Sequence, residues 1–338
     1  EIVEEEEGLM EAATGEQIFG LRASGATAAA AAAPAVVLRA NVDVSACRAD
    51  LAFGSSEFER CYAITRKLIE DNPYQLSCLS THLAAAVELK KKNELFLQSQ
   101  KLVEEYPDRA ISWFAVGCYY FCIKQYDSAR RYFSMATSLE GVFAPAWLGF
   151  GHSFAAQDES DQAMAAYRTA ARLFPGCHLP LVCIGMEYRR TSNMSLAEQS
   201  FVQARAISPA DPLVYNELGV LSFRNNRHEA AIRFFQEALA HAPQPVPRTW
   251  EATMVNLGHA LRKTRRYAEA VAWYERALAL CPKTPGTFAA LGFTYHLQGD
   301  RDQAIEYYHK ALGLHSEDSF TQEMLSIAIT ESSSLGFS

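Results

Sequence analysis

The 338-residue sequence is as informative for what it lacks as for what it holds. Nowhere do its apolar residues run for the roughly 18 positions that a membrane-spanning helix needs; the longest candidate, the alanine tract near Ala26, is broken by Pro34. There is no excess of basic charge: 39 acidic residues face 31 Lys and Arg, so an electrostatic nucleic-acid surface is not expected. Walker loop, GxSxG elbow, HExxH and paired CxxC are all missing, and the nine histidines are dispersed, so no catalytic residue, metal site or cofactor is assigned. The eight cysteines, scattered and without a secretory signal, read as reduced thiols acting as small apolar residues in the nucleus or cytoplasm. Cys118 with Cys122, and Cys177 with His178 and Cys183, are near in sequence, but the first pair occupies apolar helix positions and the second spans a helix break.

The charge is unevenly placed. Residues 1–40 carry seven acids and two arginines, about −5 of the total −8, in the block EIVEEEEGLMEA followed by an alanine tract. Residues 1–41 therefore read as a disordered leader, since the acids contradict both a secretory and a transit signal. The chain opens on Glu1 rather than Met, which reads as a fragment of a longer protein.

What is present is a ruler. WFAVGCYYFC at 113–122 and WLGFGHSFAA at 147–156 share a Trp and a Gly 34 residues apart, and the same register reaches Gly117, Gly151, Gly185, Gly219, Gly258 and Gly292. Twelve positions after each stands Ala129, Ala163, Ala197, Ala231, Ala270 or Ala304; sixteen after, an aromatic (Phe133, Tyr167, Phe201, Phe235, Tyr274, Tyr308). Nineteen after comes another alanine, Ala136 through Ala311, and 24 after, a proline in four of six. This is the small, small, aromatic, small pattern of the tetratricopeptide repeat. It predicts an all-α superhelical solenoid of antiparallel helix pairs.

A mid-helix Gly costs about 1 kcal/mol relative to Ala, so six of them require a compensating gain. The missing Cβ lets the two helices of a pair approach closely, the alanines offer the matching shallow surface, and the aromatic is expected to fill the groove between neighbouring pairs. Proline stops the second helix. The units are expected at 110–143, 144–177, 178–211, 212–250, 251–284 and 285–318, the extra length around 244–248, with Pro245 and Pro247, forming a loop. Two degenerate units, 42–75 and 76–109, precede them, with Leu83 for Gly, Leu95 and Cys61 for the first Ala, and Ser99 and Thr65 for the aromatic. A capping helix at 319–330 and a disordered tail at 331–338 complete the expectation.

A solenoid of this kind binds peptides along the concave wall of its first helices. The wall positions lie three and two before the ruler Gly, one after it, and four or five after it. Asn216, Glu217, Asn256, His152, His259, Arg262, Lys263, Arg189 and His296 are polar there without a core reason to be, which reads as peptide main-chain recognition or as plain hydration. Phe223, Phe293, Met186 and Phe121 would add apolar anchors. The basic run at 262–266 is solvated or meets an acidic partner. A clamp for carboxylate tails is not expected, because Phe114, Leu148 and Val182 occupy its leading basic position.

Beyond the repeat pattern, NELFLQSQKLVEEYP, SWFAVGCYYF, APAWLGFGHSFA, GCHLPLVCIGMEY, NNRHEAAIRFFQEAL and NLGHALRKTRRYAEAVAWYERAL resemble subunit 6 of the anaphase-promoting complex, the cell division cycle protein 16 homologues, over roughly residues 45–325. The resemblance implies a non-catalytic scaffold of a ubiquitin ligase acting in mitosis, whose C-terminal repeats enclose the N-terminal segment of a small accessory subunit and which contacts other tetratricopeptide subunits. The matching groove positions are His152, Tyr188, Asn216, Glu217, Asn256, His259 and Arg262. The family's N-terminal repeats form a homodimer; here the leader stands in their place, so dimerisation is not expected of this chain. The alternative from residues alone is an independent adaptor or cargo receptor using the same groove.

Overall fold

The computed structural model describes residues 41–72 and 78–335. The leader expected at 1–41 lies outside them except for Asn41, as do Pro73 and residues 336–338. Seventeen α-helices and one short 3₁₀ turn make up the described chain, with no strand among the described residues. They are α1 (Val42–Gly54), α2 (Phe58–Asp71), α3 (Leu79–Glu88), α4 (Lys92–Glu105), α5 (Ala110–Cys122), α6 (Tyr126–Leu139), α7 (Ala144–Ala155), α8 (Ser160–Leu173) and α9 (Leu179–Arg190). There follow α10 (Met194–Ile207), α11 (Pro212–Arg224), α12 (His228–His241), α13 (Glu251–Lys263), α14 (Tyr267–Leu280), α15 (Pro285–Gln298), α16 (Arg301–Leu314) and α17 (Ser319–Leu335). Two helices fall within each of the eight sequence intervals, and each helix packs on its chain neighbours.

Local chemistry explains where the helices stop. Pro175, Pro209, Pro243 and Pro282 each stand two residues past the end of a second helix, where the missing N–H and the restricted preceding residue end helical geometry. Within each pair the chain turns through one residue of positive φ seven positions after the ruler, including Lys124 (65°), Asp158 (62°), Asn226 (57°), Arg265 (63°) and, last, Gly299 (87°). Residues 242–247 form the expected loop, closed by the 3₁₀ turn Arg248–Trp250, whose Trp250 is buried.

The ruler glycines make the pairs close. A Cβ placed on Gly117 or Gly219 would stand 2.6 Å from ring carbons of Phe133 or Phe235, and the other four glycines meet the aromatic sixteen positions on in the same way. The alanines at both offsets are buried in every pair. The aromatic thus lies against the glycine of its own pair, and it also joins the core of the following unit, as Phe201 does with Val214 and Leu218 and Tyr274 with Leu291. Phe133 also covers Gly149 of the next unit.

Trp113 and Trp147 act on the turns before their helices: their Nε1–H groups donate to the carbonyls of Pro107 (2.8 Å) and Gly141 (2.9 Å). Tyr215 repeats the device with Pro209 (2.9 Å). Each side chain satisfies a carbonyl of the turn two residues past the end of the preceding helix.

At the C-terminus the capping helix is longer than expected. α17 continues to Leu335, so 331–335, assigned to a disordered tail, is helical. Glu331 explains the extension, because its carboxylate takes hydrogen bonds from His296 and Arg301, both at 3.2 Å. Ala328 and Thr321 are buried against the last pair.

Candidate functional site: the inner wall

Beyond chain neighbours, the recurring contacts between successive units are first helix to first helix: α3 with α5, α5 with α7, α9 with α11, α11 with α13 and α13 with α15. First helices therefore line one side, α7 and α9 meeting through the cluster of Phe154 and Ile184, and the positions flanking the ruler glycines lie along it.

The wall contains a repeated hydrogen-bond device. Tyr167 Oη lies 2.8 Å from His152 Nδ1, and Tyr274 Oη lies 2.7 Å from His259 Nδ1. Desolvation lowers both imidazoles to about 4, with Arg262 adding to the effect at His259. Each tyrosine hydroxyl is thus hydrogen-bonded to a histidine Nδ1, which orients the imidazole on the wall. His152 is exposed by surface area although protein surrounds it, as befits a residue at the bottom of a groove.

The third tyrosine of the series, Tyr308, has Phe293 where a histidine would stand, and its buried hydroxyl has no partner among the described residues. Arg262 stacks its guanidinium on Phe293 at 4.6 Å, comes within 3.5 Å of His259 Nδ1, and buries an Nε that also lacks a partner. Phe320 of α17 packs edge-on against Phe293. His259, Arg262, Tyr308 and Phe293 thus gather at the C-terminal end of the wall.

Glu217 is buried and lies 3.2 Å from Arg189 Nη2, whose Nε is another buried donor without a partner. Desolvation raises the Glu217 pKa, opposed by Arg189. Asn256 is half-buried and makes no side-chain hydrogen bond among the described residues.

Not every sequence candidate is free to bind. Asn216 accepts from Thr253 Oγ1 (2.9 Å) and donates to Glu217 (3.2 Å), so its amide ties α11 to α13. Phe223 is half-buried, packing on His228 of its own pair with ring centroids 5.1 Å apart and against the core cluster that spans α12 to α15. Tyr188 is half-buried, its hydroxyl accepting from Arg168 at 2.8 Å. The sequence reading treated Tyr167, Tyr274 and Tyr308 only as packing aromatics, and missed that they orient the wall. The hydroxyl was the available signal: opposite both histidines the aromatic is Tyr, opposite Cys118, Met186 and Val220 it is Phe133, Phe201 and Phe235, and Tyr308 opposite Phe293 is the exception. Among the described residues no three His, Cys, Asp or Glu side chains gather as a metal site would require, and no helix is long and apolar enough to cross a membrane.

Helix pairs joined by glycine and aromatic around a polar inner wall define a tetratricopeptide-repeat protein, and a family model for the tetratricopeptide repeat matches residues 210–283 and 250–317. The particular family follows from three relatives. Anaphase-promoting complex subunit 6 of Arabidopsis thaliana is 51% identical over 88% of this chain and 54% of its own length. The cell division cycle protein 16 homolog of Homo sapiens is 45% identical over 85% of this chain and 47% of its own. The crystal structure of the anaphase-promoting complex hetero-tetramer Cut9–Hcn1 matches 85% of this chain and 55% of the solved one, with a TM-score of 0.74 and 37% identity. The chain belongs to the family of anaphase-promoting complex subunit 6 and the cell division cycle protein 16 homologues, and spans about half the length of the curated relatives it matches.

Proposed function

We propose that this chain is a scaffold segment of an anaphase-promoting complex ubiquitin ligase, and that its inner wall holds an extended peptide from a small accessory subunit. One observation carries the second part. Arg189 Nε, Arg262 Nε and Tyr308 Oη are buried without partners, and Asn256 is half-buried without one. A buried polar group left unsatisfied costs about 1–3 kcal/mol, and a peptide main chain, with alternating donors and acceptors, offsets that cost all along a groove. His152 and His259 add two imidazoles whose orientation the tyrosines hold. The pairing of Cut9 with Hcn1 in the related crystal structure supports the reading.

Co-expression with the small accessory subunit of the same source tests it. A stoichiometric complex is expected, and Arg262→Ala combined with Asn256→Ala should weaken it at least tenfold while helicity stays constant. A monomer that ignores the accessory subunit and exchanges other peptides would favour an adaptor or cargo receptor and overturn the proposal. Asn216→Ala should act mainly on stability, because its amide is already engaged between helices.

A further inference from the structure

The first helices touch from unit to unit, but the second helices are held apart on the outer side, leaving slots between them. The slot between α10 and α12 has a volume of about 400 Å³ and is lined by Arg205, Tyr215, Ala230, Arg233, Phe234 and Glu237. Five of these six stand on second helices, so the slot opens away from the inner wall.

Its chemistry differs from that of the surface around it. Neither Arg205 nor Arg233 has a hydrogen bond or ion pair among the described residues, although other arginines nearby do: Arg227 pairs with Glu198 at 2.8 Å and Arg266 with Glu269 at 2.6 Å. Arg205 is half-buried on α10 and Arg233 exposed on α12, so the two guanidinium groups belong to opposite walls. Tyr215, whose hydroxyl is spent on Pro209, and Phe234 add aromatic lining. His241 stacks on Tyr215 with centroids 5.3 Å apart and lies 3.8 Å from Glu237.

We propose that this outer slot binds a phosphorylated side chain of a partner peptide, with Arg205 and Arg233 each donating to the phosphate. Two unpartnered guanidinium forks on facing helices match a dianion with three acceptor oxygens, which can serve both forks at once. A single carboxylate carries half the charge, and Glu237 in the same slot repels it without the compensation that a second negative charge gains from the second arginine. The slot opens on the side away from the inner wall.

The test uses the full chain and phosphoserine peptides from a degenerate library, each with its serine and its glutamate counterpart. Binding is read by fluorescence anisotropy and by the arginine Nε–Hε NMR signals. Phosphopeptides selected by the chain should shift the Arg205 and Arg233 signals and lose at least tenfold in affinity in Arg205→Gln and in Arg233→Gln, while Arg131→Gln on α6 binds like the wild type. Helicity measured for each variant separates loss of binding from loss of fold. Equal affinity for the glutamate peptides, retention of binding in the double Gln variant, or no shift at either arginine would each overturn the proposal.

Discussion

Two of the helix pairs answer the same packing problem in opposite ways. In α11–α12, Gly219 on the first helix receives the ring of Phe235 from the second. In α3–α4 the register places Leu83 at the glycine position and Ser99 at the aromatic one, both buried, so the bulk has moved from the second helix to the first. The backbones record the change. The glycine pairs run close together along most of their length, the α1–α2 pair with Ala49 in that position somewhat less, and α3 and α4 approach over a far shorter stretch. The glycine is therefore a distance-setting element. A repeat tolerates its loss when the partner position gives up the matching volume, as a close-packed interior requires.

The largest expected effect comes from breaking this complementarity on one side only. Gly219→Leu should destabilise the chain by about 3 kcal/mol or more in urea unfolding, because the new side chain collides with Phe235 and cannot relax toward open space. Phe235→Ser alone should cost about 3–5 kcal/mol by leaving a cavity. The double variant imitates the Leu83–Ser99 pair, and should lose less than the sum of the two by at least 1 kcal/mol. Strict additivity would break the comparison.

A smaller effect distinguishes the tyrosine units from the phenylalanine units. Tyr274→Phe removes the donor to His259 Nδ1 and leaves a nearly buried ring nitrogen less well satisfied, for a loss of about 1–2 kcal/mol. The expected signature is an NMR change of tautomer at His259. An unchanged His259 spectrum would show that the tyrosine is only a packing residue.

The N-terminal units compensate for their missing aromatic with a buried histidine. His82 is fully buried, bonds Thr65 Oγ1 and Gln98 Nε2 at 2.8 Å each, and stacks on Tyr62. Desolvation lowers its pKa to about 4, Lys91 and Arg66 contributing. Its unfolded value is near 6.5, so between about pH 6.5 and 4 the unfolded chain binds the extra proton, and stability falls as the pH is lowered through that window. Hydrogen exchange should show the units around His82 opening at higher pH than α11–α12, and His82→Gln should flatten that dependence. Uniform acid opening along the chain would contradict this.

The smallest effect concerns the turn inside each pair. Arg265 and Lys124 hold positive φ at a position that the last unit gives to Gly299, and an L side chain there costs roughly 1 kcal/mol. Arg265→Gly should therefore come out neutral to about 1 kcal/mol more stable, since the strain relieved competes with the added freedom of the unfolded chain. A loss beyond 1 kcal/mol would show that the side chain itself supports the turn.

The fold was legible because its determinants are backbone distances and volumes that recur at fixed offsets: glycine, two alanines and an aromatic name the pair, and proline marks its end. The site was legible only as a set of positions. Asn216 and Asn256 occupy neighbouring wall positions and look alike in sequence, yet Thr253 captures the first and nothing captures the second. That difference depends on a residue 37 positions away on another helix, which no local pattern encodes. The slot between α10 and α12 was invisible for a further reason: neither arginine falls on a ruler position, and only the packing of three helices puts them into one cavity.

The inner contacts between first helices also govern how the array responds to force. Successive units are joined by each second helix on the following first helix and, along the wall, by first helix on first helix. Among the described residues second helices make no comparable contact with one another, so the stack is compliant where the slots widen and narrow and stiffer along the wall. A guest wedged between α10 and α12 would act as a shim, fixing the angle of one joint and, through it, the relative position of everything attached on either side.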